Sequence, residues 1–309
     1  MLPQAWIAEA RGHKPDNTWP EKITTWSPQR SLEEMDRFGV AVAVTELGLP
    51  GVWWADALRA SRLARLCNEY VAQANRDFPG RFGMFATVPL PYVEATLTEI
   101  AYALDTLHAD GVGLLSSYGD RWIGDAAFTP VYEELNRRKA VVHVHPTVPT
   151  ACIDIIPGIS SSTQEYLFDT CRAVTNLLVT GASARFPEIR WIFSHGGGAF
   201  PPLANRIVHL LGAKANAALM EREIQRFYFD LATSVSPATF AGLRNLTSTD
   251  RMLLGTDVPY VRMEETIPAL DALDLTAAEA DAINSGNALR LFPRLRAEEQ
   301  AATASATSR

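Results

Sequence analysis

Residues 191–206 read W-I-F-S-H-G-G-G-A-F-P-P-L-A-N-R. Trp191 to Ser194 is a short apolar run, the pattern of a buried strand. The run ends on His195, three glycines follow, and from Pro202 onward the spacing turns helical. This is one β/α unit that delivers a histidine at the rigid end of a strand, where glycines let a ligand approach the backbone. Taken alone, the segment fits a plain turn with a solvent-facing histidine equally well.

The same unit recurs on both sides. Strands are expected at 40–44, 82–88, 112–115, 141–145, 191–194, 227–231 and 252–255. Between them, helical spacing covers 56–77, 92–109, 128–139, 164–184, 202–213 and 238–246, and helices within 264–292 close the fold. Residues 1–30 read as loop with a helical turn near Trp6 to Ala10, and Ser31-Leu-Glu-Glu34 reads as a capping box. The small, polar stretch 297–309 is expected to be disordered, after a single domain over 1–296.

Short apolar strands alternating with helices mean parallel strands covered by helices. A (β/α)8 barrel has eight strands, and seven are readable here. The alternative, an open doubly wound sheet, usually carries a glycine-rich phosphate loop, and no GxGxxG or Walker pattern is present. The expected class is therefore α/β, a TIM-type barrel lacking its first strand.

Composition narrows the function. The 309 residues are 47% hydrophobic and 20% charged, with a net charge of -7 and a pI near 5.4. That balance, without any basic cluster, argues against a nucleic-acid partner. No apolar run is long enough to span a bilayer, and the first residues lack the pattern of a signal peptide. Cys67, Cys152 and Cys171 are widely spaced and odd in number, which fits a reducing, cytoplasmic setting.

Barrel enzymes place their reacting groups at the C-terminal ends of strands. Val141-Val-His-Val-His145-Pro146 puts His143 and His145 on one face, about 7 Å apart along the strand. His195 ends the next strand, and Asp257 follows the last. Imidazole and carboxylate together are the ligand set for Zn²⁺ or a similar divalent ion. His145, at the rim, is the better ligand; His143 is a candidate ligand or a hydrogen-bonded histidine one layer below. Asp257 is a ligand, an acid or a helix cap. His108 and His209 fall on expected helices as surface residues, and His13 lies in a polar loop. Cys152 follows His145 closely and reads as a small packing residue. Trp53, Trp54 and Phe200 are candidates to line an aromatic-sized pocket or to pack.

Several motifs together carry a family resemblance: S-H-G-G-G-x-x-P-x-x-x-x-R (194–206), V-H-P (144–146), G-T-D-V-P-Y (255–260) and G-N-A-L-R-L-F (286–292). In this order, over roughly residues 3 to 293, the chain resembles the amidohydrolase-related metal-dependent decarboxylases. These include aminocarboxymuconate-semialdehyde, γ-resorcylate and 6-methylsalicylate decarboxylases. The stretch from Phe168-Asp-Thr to Trp191 is most similar to the 6-methylsalicylate branch.

The resemblance implies metal-assisted, non-oxidative loss of CO₂ from a small aromatic or unsaturated acid. It implies one divalent ion, Zn before Mn, and no organic cofactor. His145 and Asp257 match the family's ligands, and His195 the histidine that works on water or substrate. Arg206 matches an arginine that reaches the substrate carboxylate, in some members across a dimer interface, so a homodimer is expected; a helix-surface arginine is its plainer reading. The family's opening His-x-His strand has no counterpart after Met1-Leu2-Pro3. Roughly 10 to 20 residues, about one strand and its turn, are expected upstream. A hydrolase opening a lactone or amide on the same site is the second enzymatic expectation, and an inactive, truncated homologue is the non-enzymatic one.

Overall fold

A computed structural model describes residues 2–13, 19, 21–153 and 155–295. The stretch 297–309, expected to be disordered, lies outside the described residues.

Seven parallel strands form one curled sheet: β1 (Ala43–Thr45), β2 (Phe82–Thr87), β3 (Gly111–Leu115), β6 (Val141–His145), β7 (Arg190–Phe193), β8 (Tyr228–Asp230) and β9 (Met252–Leu253). They pair in that order, with β1 and β9 at the two ends. A two-stranded antiparallel hairpin, β4 (Ser117–Tyr118) with β5 (Arg121–Trp122), rises from the end of β3. All seven expected strands are present, each with a helix behind it, as the alternation requires for a TIM-type barrel. The hairpin was not readable, because two-residue strands carry no periodicity.

Alternation along β6 shows how the sheet divides inside from outside. Val142 and Val144 pack outward against the helices, in the cluster that holds Trp191, Phe193 and Phe229. Val141 points inward and joins Phe85, Ile192 and Leu253. Leu291, Phe292 and Leu295 fill the same inner cluster and also meet Val42 and Val44, so C-terminal residues plug the barrel floor between β1 and β9. Above this apolar floor, the inward positions of β6 are His143 and then His145. The barrel is thus layered, with hydrocarbon below and ionisable groups at the mouth.

Helix boundaries differ from expectation where a second cap signal lies nearby. The third helix runs Pro28–Arg37 with Ser27 as N-cap, its side chain accepting from Arg30 N–H. Ser31 lies inside that helix and its hydroxyl accepts the Trp26 indole N–H at 2.8 Å, while Glu34 accepts from Met263 N–H. Ser-Pro at 27–28 was the stronger start signal. A reciprocal capping box does occur, at Thr276 and Glu279. The long expected helix 164–184 is two, Glu165–Val179 and Ala182–Arg185, separated at Gly181 with φ +70°.

Candidate metal centre

His145, His195 and Asp257 converge at the barrel mouth. One potential ligand atom from each lies within 4.8 Å of the others, and this is a possible metal-holding group among the described residues. The His145 and His195 rings stand 5.8 Å apart at 73°. His145 Nδ1–H donates to the Pro146 carbonyl at 2.7 Å. His195 Nδ1 is held by the Ala232 carbonyl at 3.1 Å and Thr233 Oγ1 at 2.9 Å. In each ring these contacts engage Nδ1 and leave Nε2 toward the site, the arrangement a metal-binding or proton-moving imidazole needs. Burial, reinforced by the neighbouring His195 and His143, pushes the His145 imidazole down to about 3, so the ring is neutral at physiological pH.

The backbone that carries these groups is forced. His195, Thr233 and Asp257 all have left-handed φ, at +54°, +52° and +59°. Non-glycine residues there cost free energy and concentrate at functional sites. The glycine run after His195 is steric: at Gly198, φ is +58° and a Cβ would sit 2.4 Å from the Leu167 carbonyl oxygen. Only glycine lets helix Glu165–Val179 come so close to the turn.

One layer down lies a charged trio. His143 Nδ1 bonds Glu46, and its Nε2 lies 2.8 Å from Asp230 Oδ2. His143 is nearly buried, yet the Glu46 and Asp230 carboxylates outweigh that desolvation and raise its imidazole to about 10, so it is the cation between two anions. Asp230 Oδ1 in turn accepts the backbone N–H of His195 at 3.2 Å and of Ala232 at 2.9 Å. Of the two expectations for His143, this geometry matches the hydrogen-bonded histidine one layer below, with both nitrogens engaged by carboxylates.

The remaining expected site residues scatter. Trp53 lines a small cavity of about 20 Å³ with Glu46, Leu115 and Tyr118, beside the trio. Trp54 instead belongs to the N-terminal cluster, stacked on His13 at 3.9 Å and with the Arg59 guanidinium 5.0 Å from its ring centroid. That gives His13 the aromatic partner not visible in sequence. Phe200 is 0% exposed and is core, not pocket lining. Arg206 is exposed on the helix Phe200–Ala215. His209 is exposed on the same helix; His108 is exposed but lies past the end of helix Val93–Asp105. Cys152 sits in a short turn, and all three cysteines are free.

Glu46 and Asp230 escaped the sequence reading. Both stand at the end of a barrel strand, Glu46 directly after Thr45 and Asp230 closing Tyr228–Asp230. Their signal in sequence is the one that marks His145 and His195, a polar residue at the end of an apolar strand.

A curled parallel sheet with imidazole and carboxylate at its C-terminal rim defines an amidohydrolase-type barrel. A family model described as Amidohydrolase matches residues 13–294. The chain belongs to that family, in the branch that holds its decarboxylases. It is 34% identical to decarboxylase yanB of Aspergillus niger, over 88% of this chain and 80% of that one. It is 33% identical to a 6-methylsalicylic acid decarboxylase of Penicillium expansum, over 89% and 88%. Among solved structures, a dihydroxybenzoic acid decarboxylase from Polaromonas, determined with bound manganese and an inhibitor, superposes with a TM-score of 0.84, covering 94% of each chain at 23% identity. That last likeness speaks to the fold.

Proposed function

We propose that this protein is a metal-dependent decarboxylase of a small aromatic acid of the 6-methylsalicylate type. The observation that carries the reading is the convergence of His145, His195 and Asp257 within 4.8 Å at the ends of three barrel strands. Imidazole and carboxylate ligands suit Zn²⁺, and Mn²⁺ is the alternative ion. His145 and Asp257 would hold the ion. When bound, it supplies Lewis-acid stabilisation of negative charge on the acid's carboxylate and neighbouring phenolate oxygens.

The chain's own groups do the rest. His195 faces the two ligands, and its Nδ1 contacts aim Nε2 into the site. From Nε2 a proton passes to the ring carbon that bears the carboxylate. The carbon–carboxylate bond then breaks, its electron pair returns to the ring, and CO₂ leaves, so that carboxylate plus proton gives arene plus CO₂. Proton transfer by a placed imidazole contributes roughly 10²–10⁴-fold. Asp230 fixes the His195 backbone from below, and Trp53 borders the space beside Glu46.

Arg206 acts from a second copy of the chain. Leu203 and Leu210, 38% and 56% exposed on the same helix, flank it with apolar surface that a homodimer covers. A cytoplasmic setting accords with three free cysteines. No described helix is long and apolar enough to cross a membrane.

The test is a panel of hydroxybenzoic acids and small lactones offered to the Mn²⁺- or Zn²⁺-supplemented full chain. CO₂ release from 6-methylsalicylate, lost in His195→Ala, supports the reading. Lactone opening without CO₂ release from any acid overturns it in favour of a hydrolase.

A further inference from the structure

Beneath the loop that follows His145 is a buried carboxylate that the reaction above does not use. Asp169, on the helix Glu165–Val179, is 0% exposed. It accepts from the Ser116 hydroxyl, from Ser117 Oγ at 3.0 Å and from the Trp122 indole N–H at 2.8 Å. Its nearest cation, Arg172, stands 3.8 Å away. Burying a carboxylate is costly unless its lone pairs are occupied, and here three donors offset much of that cost. The arrangement joins the end of β3 and the β4–β5 hairpin to the helix, which explains the local packing.

Ser116 has a second set of contacts. Its N–H donates to the His145 carbonyl at 2.8 Å. Its Oγ accepts the Thr147 N–H at 2.8 Å. Thr147 N–H and Pro146 C=O are the two ends of one planar peptide unit. That same Pro146 carbonyl is the group that accepts His145 Nδ1–H at 2.7 Å. Fixing the N–H end of the plane therefore aims its C=O end at the His145 ring. A serine hydroxyl has a single hydrogen and two lone pairs. With that hydrogen directed to Asp169, a lone pair is left for Thr147.

We propose that Ser116 and Asp169 are positioning residues that hold His145 in its Nδ1–H tautomer through the 146–147 peptide plane. Asp169 orients the Ser116 hydroxyl, Ser116 orients the peptide, and the peptide carbonyl keeps the proton on Nδ1. Nε2 is thereby kept bare toward His195 and Asp257. The tautomer claim stands on the hydrogen-bond chain; its consequence for metal affinity rests on the reading of His145 as a ligand.

The experiment uses the metal-free full chain with ¹⁵N-labelled histidine, the His145 signals being identified by their loss in His145→Gln. The parent should show His145 protonated on Nδ1. In Ser116→Ala the Nε2–H form, which an unconstrained imidazole favours, should become the major one. Asp169→Asn should give a mixture, and Ser116→Thr should restore the parent pattern. Asn287→Ala is the control for mere loss of stability, since it removes buried bonds to the Thr249 and Met252 carbonyls away from His145. An unchanged Nδ1–H tautomer in folded Ser116→Ala overturns the proposal. If Ser116→Ala does not fold, the same result in Asp169→Asn overturns it, as does an equal change in Asn287→Ala. Mn²⁺ titration of the same proteins should show affinity about 10–100-fold weaker in Ser116→Ala. A tautomer change with undiminished Mn²⁺ affinity upholds the positioning role and removes His145 from the ligand set.

Discussion

His143 Nε2 and Asp230 Oδ2 lie 2.8 Å apart inside the barrel, one layer below the His145, His195 and Asp257 cluster. Asp230 is shared: its other oxygen holds the backbone of His195. It therefore couples the charged layer to the reacting layer. Asp230→Ala leaves a buried imidazolium with one of its two anions gone. Losing one member of a buried ion pair costs about 3–5 kcal/mol. Urea unfolding of parent and variant at pH 7 measures this, and a loss below 1 kcal/mol would contradict the assignment.

Asp230 has its place because residue 255 has no side chain. A Cβ on Gly255 would stand 2.6 Å from Asp230 Oδ1 and 2.9 Å from Ala232 N. Gly255→Ala is expected to cost roughly 1–3 kcal/mol by overpacking. Because the displaced carboxylate holds His195, kcat for CO₂ release should fall together with Tm. A variant with parental kcat and Tm would show that the close approach is unimportant.

Phe200 and Trp53 should separate cleanly. Phe200 is fully buried in the outer core, whereas Trp53 borders the small cavity beside Glu46. Phe200→Leu should cost roughly 1–2 kcal/mol of stability and leave the KM for the acid unchanged. Trp53→Phe should change KM with little loss of Tm. The opposite pattern in steady-state kinetics would restore Phe200 as pocket lining.

Away from the site, Glu134 gives a pH-dependent contribution of known sign. Its hydrogen bonds to Arg137 and Arg138 hold the carboxyl down at about 2, against an ordinary 4.5. A folded-state value below the unfolded one means the contribution is complete above about 4.5 and is lost as the pH falls toward about 2. The groups are partly exposed, so the gain is small, about 0.5–1 kcal/mol. Glu134→Gln should be destabilised by that amount at pH 7 and match the parent near pH 2. Urea midpoints across this range check it, and a gap that widens in acid would contradict the sign.

The fold was legible because its signals are long-range repeats. Seven apolar runs spaced by amphipathic helices leave few arrangements, and every one of the seven became a strand. The convergence of His145, His195 and Asp257 was legible because strand ends are rigid and few polar residues fall there. The two readings of His143 stayed open in sequence because it gives the residue's face but not its neighbours: Glu46 and Asp230 stand at strand ends 97 and 87 residues away. Trp54 and Phe200 were aromatic and near the right motifs, but proximity in sequence does not decide which side of a loop or helix turns outward. The Ser116–Asp169 contact spans 53 residues and joins the link between β3 and β4 to a helix, a pairing that no local pattern encodes.

The central claim is that His145 and Asp257 hold the divalent ion on which decarboxylation depends. The most direct measurement is the metal content of the full chain by elemental analysis, after equilibration with Zn²⁺ or Mn²⁺ and removal of free ion, for the parent, His145→Ala and Asp257→Ala. The account predicts about one equivalent in the parent and, with a ligand lost from a site of three or four, little in either folded variant. One equivalent retained in both variants, or CO₂ release from 6-methylsalicylate by a metal-free parent, would contradict it.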